Sequence, residues 1–251
     1  MKPVDYMQTD SRWAGKRYAA SGEKTTIGSA GCGITCAAMV IATLADSSVT
    51  PADTAKWSME HGYKAYHQGT YYSYFVPQLA AYGIECEQVN GASVYHGKSK
   101  STRSVNAAAA DAVSDGDWMI CCMGVGDWTR SGHFVLWYGM DDGYALIMDP
   151  NSKKASRRRA PLAKFQYQVK YYWKVEVVEA MTQEKFNQMM DTWLVQRGLK
   201  APGDWSRPAR DWAYEQGIMT GGAYMRPITR EEACQVLYQY DKKKGGKQNA
   251  L

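Results

Sequence analysis

The feature that most constrains what this chain can fold into is a change of apolar period at Asp117. Before it, apolar residues recur at helical spacing. After it come short aromatic and aliphatic runs bounded by Gly and Asp. Trp118–Met123, residues 133–138 and Tyr144–Met148 read as strands. Asp141-Asp142-Gly143 is a tight turn that makes a hairpin of the last two. A further strand is expected over residues 171–178. Ahead of the sheet, Gly31-Cys32-Gly33 opens a helical run over 34–44. A second helix follows Thr50-Pro51, with Pro51 suited to a first turn. A third covers 74–82 up to Gly83, and an Ala-rich one covers 106–114. Residues 1–30 read as irregular. Helices followed by an antiparallel sheet is the α+β order.

The period changes again near residue 180, where a domain boundary is expected. Thr182 is placed to cap a helix whose apolar residues, Phe186, Met189, Met190, Trp193 and Leu194, share one face. Gly198 ends it. Ser206 caps a second helix that runs through Trp212 and Ala213 to Gly217. Thr229 and Glu232 form a capping box for a third, with Ala233, Val236, Leu237 and Tyr240 turned inward. The expected organisation is an α+β domain over 1–178, a small three-helix domain over 181–243 and a basic, flexible tail over 244–251.

A chain of 251 residues with 45% hydrophobic side chains can bury a core without disulfide staples. Its longest apolar stretch, residues 37–45, is far shorter than the roughly 20 residues of a membrane helix, so no membrane insertion is expected. Residues 1–6 lack the apolar segment of a signal peptide. Either the chain has been trimmed at its start, or the protein leaves its cell by another route. Lys plus Arg exceed Asp plus Glu by 30 to 25 over the whole chain, too little for a nucleic-acid binder but compatible with an anionic wall polymer. The six cysteines, at 32, 36, 86, 121, 122 and 234, contain no C-x-x-C pair. They spell neither a disulfide framework nor a zinc site, and no metal or organic cofactor is implied. With 18 Tyr and 9 Trp against 4 Phe, most rings carry a polar handle, which suits half-buried packing or stacking on sugars.

Cys32 stands apart from the other thiols. Glycines flank it, leaving its backbone open to a substrate, and it begins a helix, whose N-terminus stabilises a thiolate. A nucleophilic thiol needs a base. His61, His67 and His96 lie in polar or surface segments, whereas His133 follows Gly132 at the mouth of a strand. Asp149 ends the next strand, nearly symmetric with His133 about the Asp141-Asp142-Gly143 turn. A hairpin therefore brings the two to one end, and Pro150 stops the strand there. Asn151 is the other side chain able to orient the imidazole. Alone, Asp149 reads as a strand-end turn former; with Cys32 and His133 it completes a nucleophile, base and orienter for acyl transfer. The oxyanion donors are the Cys32 backbone N–H and, as a candidate, Gln8, otherwise an ordinary loop residue. The run Lys153-Lys154 and Arg157-Arg158-Arg159 reads as a solvated loop or as a contact for an anionic substrate.

Four motifs stand in order along the chain: Tyr-x-Gln-x-Asp-x-Arg-Trp at Gln8, Gly-Cys-Gly-x-Thr-x-x-Ala-Met at Cys32, Gly-His-Phe at His133 and Asp-Pro-Asn-Ser at Asp149. Over about residues 3–178 this resembles the papain-like cysteine peptidases related to the bacteriocin leader-processing peptidases, the thirty-ninth cysteine-peptidase family. The resemblance implies a papain-like fold, with the Cys on an N-terminal helix and the His on an antiparallel sheet. It implies Cys32 as nucleophile, His133 as base, Asp149 as orienter and Gln8 as oxyanion donor. Cys36, one helical turn from Cys32, is the competing thiol, and the flanking glycines favour Cys32. Beyond residue 180, Met181-Thr182-Gln183-Glu184, Trp205-Ser206, Ala209-Arg210-Asp211-Trp212-Ala213 and Thr229-Arg230-Glu231-Glu232 resemble the S-layer-homology-like modules at the ends of phage and prophage wall lysins. Together the resemblances imply a monomeric endolysin that cuts an amide bond of bacterial peptidoglycan, as an endopeptidase or an N-acetylmuramoyl-L-alanine amidase. Its C-terminal module would bind a cell-wall polymer. Two other classes fit the same residues: a cysteine protease or deamidase acting on a protein, and a non-catalytic wall-binding protein.

Overall fold

The computed structural model describes residues 1–89, 95–96, 100–178, 183–218, 228 and 230–248. The chain divides into two units, Met1–Val178 and Glu179–Leu251. In chain order the first carries α1 (Ile27–Ala30), α2 (Cys32–Leu44), α3 (Pro51–Glu60), a 3-10 turn (Tyr72–Tyr74) running into α4 (Phe75–Ala80), β1 (Cys86–Gln88) and α5 (Lys100–Ser114). Then come β2 (Trp118–Met123), β3 (His133–Asp141), β4 (Tyr144–Met148), α6 (Ala155–Arg158), β5 (Arg159–Pro161), α7 (Leu162–Tyr167) and β6 (Val169–Val175). The strands form one antiparallel sheet in the order β1-β6-β2-β3-β4-β5. This is the α+β architecture expected from the period change at Asp117.

All of β2 is buried, because both faces of the sheet are covered. Trp118, Ile120 and Cys122 enter a core shared with Phe134, Leu136 and Trp173 and with residues of α2, α3 and α4. Met119, Cys121 and Met123 enter a second core, shared with Val135, Trp137, Phe165 and residues of α5. A strand covered on both faces reads as a continuous apolar run rather than an alternating one. α2 is likewise buried without a break from Gly33 to Ala42, so it shows no polar stripe. α3 starts with a capping box, Thr50 N–H and hydroxyl both meeting Asp53, and has Pro51 in its first turn. Asp142 and Gly143 join β3 to β4 at φ of 44° and 75°, as a two-residue hairpin turn requires. α1 forms within residues that read as irregular and α6 within the basic run that read as a solvated loop or a substrate contact, while β1, β5 and α7 have no counterpart in the sequence reading. Each is too short for a period to show.

The second unit carries α8 (Gln183–Gly198), a 3-10 turn (Asp204–Ser206), α9 (Arg207–Glu215) and α10 (Arg230–Gln248). The expected caps Thr182 and Thr229 lie outside the described residues. Ser206 heads α9, but its hydroxyl donates to the Gly203 carbonyl (2.8 Å) instead of capping the helix. The faces expected to turn inward are largely open: Phe186, Met189, Trp193, Val236 and Leu237 are exposed. A ring contact between Trp212 and Tyr240 (5.6 Å) links α9 to α10. α10 continues to Gln248, through residues whose composition pointed to a flexible tail. Lys and Gln are good helix formers, and here they outweigh the two glycines between them. Among the described residues no helix is long and apolar enough to cross a membrane.

Candidate active site

The site forms where the first turn of α2 meets the neighbouring ends of β3 and β4. Gly31 joins α1 to α2 so tightly that a Cβ there would collide with the Ile27 carbonyl and stand 2.8 Å from the Ile27 side chain. A Cβ on Gly33 would stand 2.8 Å from Thr70 Oγ1 and 3.2 Å from the Phe134 ring. The glycines around Cys32 are therefore a packing requirement and not an open approach for substrate. They let α2 press against β3, so that the Cys32 thiol meets the His133 ring and the backbone N–H groups of Phe134 and Gly33.

His133 opens β3 and is buried; Asp149 follows β4 and is fully buried. Leu136 pairs with Met148 across the hairpin, which sets both residues at the same end. His133 Nε2 lies 2.8 Å from Asp149 Oδ1, leaving Nδ1 as the ring nitrogen for the thiol. Asn151 donates its backbone N–H to that same Oδ1 at 2.9 Å. Of the two candidate orienters, Asp149 is thus the one whose side chain holds the imidazole.

Burial alone would raise the Cys32 thiol, but the hydrogen bond and charge of His133, with the Phe134 and Gly33 N–H groups, outweigh it and bring it below its usual value. Burial alone would lower His133, yet Asp149 and Cys32 carry it up to about 9. Each group thus favours the charged form of the other, the imidazole drawing the thiol down and the thiol helping to hold the ring proton. Burial drives the competing thiol Cys36 well up, and Cys121 with it. Cys122 rises to about 11 and Cys86 to about 12 for the same reason.

Gln8 reaches the edge of this assembly and is not among the side chains lining the cleft. It is buried, with its backbone N–H donating to the Pro150 carbonyl (2.8 Å) and its Nε2 to the Gly28 carbonyl (2.9 Å). Its Oε1 has no hydrogen-bond partner. Gln8 therefore ties the N-terminal segment both to the residue after Asp149 and to α1, with the second Nε2–H left over.

Arg157 is the residue that sequence reasoning missed, as part of a basic run read as solvated or substrate-facing. Its Nε lies 2.6 Å from Asp149 Oδ2. The charges meet there, although neither atom has an aligned hydrogen bond. Arg157 Nη2 donates to the Trp128 carbonyl (2.6 Å), and Trp128 Nε1 returns a bond to the Arg157 carbonyl (3.0 Å). Arg158 grips Asp5 with two bonds, of 2.7 and 2.9 Å, and Arg159 pairs with Asp141 at 3.0 Å. The available signal was general: a buried carboxylate needs compensation on both oxygens. That requirement names no residue.

A cleft of about 550 Å³ opens before Cys32 and His133, lined also by Ser29, Gln68, Tyr72, Cys122 and Lys170. Its His67 side is held from beneath by a buried ion pair, Lys64 Nζ to Glu23 Oε2 at 2.8 Å. A second groove, of about 520 Å³ beside Ile84 and Glu176, shares no residue with it, and its thiol, Cys86, is one of those pushed up. Among the described residues no group of three or more His, Cys, Asp or Glu is placed to hold a metal ion.

The family described as Peptidase_C39 like family matches residues 7–178. Among solved structures, the chain is similar to a double glycine motif protease from an AMS/PCAT transporter in complex with the leader peptide. That similarity has 16% identity, 70% of this chain, 93% of that chain and a TM-score of 0.42. A C39-like peptidase from Bacillus anthracis shares 15% identity over 59% of this chain and 90% of its own, with a TM-score of 0.40. The peptidase domain of Streptococcus ComA, a bifunctional ABC transporter of a quorum-sensing pathway, shares 16% over 59% and 92%, with a TM-score of 0.39. No curated protein matches the chain. The family match takes in nearly the whole first unit, including every residue of the thiol, imidazole and carboxylate assembly: this chain belongs to the C39-like family and is a cysteine peptidase.

Proposed function

We propose that the chain is a peptidoglycan hydrolase of phage or prophage origin, whose first unit hydrolyses an amide of the bacterial wall while its second holds it there. The observation that carries the chemistry is the Cys32–His133–Asp149 contact chain. The wall is supported by the resemblance of the second unit to wall-lysin modules and by its exposed rings, Trp193, Trp205 and Trp212. The Cys32 thiolate adds to the amide carbonyl carbon. The Cys32 backbone N–H meets the developing oxyanion, and the second Nε2–H of Gln8, which does not line the cleft as it stands, is proposed to complete the pair of donors when substrate is bound. Nδ1 of the His133 imidazolium gives its proton to the leaving nitrogen, the C–N bond breaks, and a thioester remains. Neutral His133 then takes a proton from the water that attacks the thioester, releasing a carboxylate and the thiolate. Asp149 keeps the ring in place and offsets its charge through both steps.

The test is digestion of purified walls with mass spectrometry of the released fragments. One amide should yield a new amine and a new carboxylate, and Cys32→Ala should abolish both. Casein cut with walls left intact would reassign the chain to a protease or deamidase acting on protein. Lysis unchanged by Cys32→Ala would make it a non-catalytic wall binder. Ending the chain near Glu179 should spare activity on soluble wall fragments and lower potency on intact walls, because tethering raises effective concentration without altering the chemistry.

A further inference from the structure

The ladder between β2 and β6 has one irregularity. Cys121 pairs with Tyr172 and Cys122 with Tyr171, but Met123 pairs with Val169. Lys170 is thus the extra residue of a β-bulge. Side chains alternate along a regular strand. Tyr172 enters the core shared with α5, and Tyr171 packs on the core shared with α2. By that alternation Lys170 would turn back toward α5. The bulge resets the pattern: Val169 takes the α5 side, and Lys170 lines the cleft beside Cys32, Tyr72 and Cys122. A bulge gives up ladder pairing and re-aims a side chain, and the side chain re-aimed here is a cation.

Lys170 has no carboxylate partner among the described residues, and the side chains lining the cleft include no Asp or Glu. Glu23, beneath the His67 side, is buried and already taken by Lys64 and by the His67 N–H. His67, which also lines the cleft, lies 3.7 Å from Glu23. The thiolate does not depend on Lys170 either, since His133 with the Phe134 and Gly33 N–H groups brings Cys32 down. Its ammonium stands 5.9 Å from the centre of the Tyr171 ring, which leaves its charge uncompensated by any carboxylate among the described residues, and such a cation attracts an anion from solution.

We propose that Lys170 is a specificity-determining residue, pairing with a free carboxylate on the peptide beside the amide that Cys32 attacks. The identity of that peptide rests on the wall reading above; the chemistry of the contact does not. Within that reading it selects amides of the stem peptide, which carries free carboxylates, over those of a crossbridge built from neutral residues.

The test uses soluble wall fragments prepared in two forms, native and with their free carboxylates converted to carboxamides. The wild-type chain should prefer the native form by about two- to fivefold in kcat/KM, the worth of a partly exposed ion pair, with the difference falling on KM. In Lys170→Met that ratio should fall to near one, in Lys170→Arg it should persist, and in Lys170→Glu it should invert. A Lys170→Met chain that keeps the wild-type preference overturns the proposal. If the wild-type chain cuts neither form, the wall reading falls, and native and amidated casein peptides take the place of the fragments. The same collapse of the ratio in Lys170→Met is then required, and its absence refutes the carboxylate contact.

Discussion

Replacing Arg157 by Met keeps a long apolar stem and removes only the guanidinium, so it isolates the charge that faces Asp149. The carboxylate is fully buried. One oxygen is satisfied by His133 and the Asn151 N–H, and the other faces Arg157 at 2.6 Å. Removing one partner of a buried pair costs about 3–5 kcal/mol. Two features reduce that here: the imidazolium remains on Oδ1, and the Arg157 side chain is 19% exposed, so water reaches part of the pair. One adds to it: the Trp128 carbonyl loses its donor, worth about 1 kcal/mol. The expected loss is about 2–3 kcal/mol, or about 5–10 °C in Tm for a domain of this size. Thermal unfolding of the full chain, followed by near-UV circular dichroism at neutral pH, measures it. Asp149→Asn should recover much of the loss in the double variant, with a coupling energy of about 2 kcal/mol in the cycle. Arg157→Lys should restore the charge but not the fork that reaches Trp128. An unchanged Tm in Arg157→Met, or costs that simply add in the double variant, would refute the claim that Arg157 compensates Asp149.

His133 stands raised in the folded state, to about 9 from 6.5, so the fold holds that proton more tightly than the unfolded chain does. Its contribution to stability is complete below the unfolded value and is lost as pH rises through about 9. The kcat/KM profile should therefore carry an alkaline limb near that pH, and activity that keeps climbing beyond it would contradict an imidazolium acid. Gly31→Ala should displace the first turn of α2, since the added Cβ meets the Ile27 carbonyl, and slow alkylation of Cys32 by iodoacetamide. Gly15→Ala, where nothing lies within 4 Å of the added atom, is the control and should label as wild type does.

The parts of this molecule legible in its sequence are those with a period or a local punctuation mark. The central strand, the hairpin and α2 each run long enough for their pattern to show, and the turn at Asp142-Gly143 sets His133 and Asp149 at one end before any contact is known. What stayed hidden depends on contacts between distant segments. Arg157 was visible only as one cation in a basic run, because nothing local says that Trp128 and Asp149 will close around it. Gly31 and Gly33 were visible, but for the wrong reason: their role is set by Ile27, Thr70 and Phe134, which the fold brings to them. In the second unit the apolar spacing of α8 and α10 correctly marked helices, yet spacing says nothing about whether another surface covers the face. Lys170 could not have been found from period, since a bulge is by nature a break in it.

The positions of base, orienter and oxyanion candidate depend on one another through the main chain and two arginines. Asp149 holds His133, and the next residue, Pro150, accepts the N–H of Gln8. Arg157 joins Asp149 to Trp128, on the loop that leads into His133. Arg158 joins the same turn to Asp5, on the segment that carries Gln8, and reaches the Asp149 carbonyl at 3.4 Å. A shift of Asp149 therefore displaces the ring and the amide together. This explains why a carboxylate that never touches the substrate is buried so completely: in water it would still pair with an imidazole, but it could not fix three segments against one another. The buried charge is costly by itself, and His133 with the Asn151 N–H on one oxygen and Arg157 on the other are what make it tolerable.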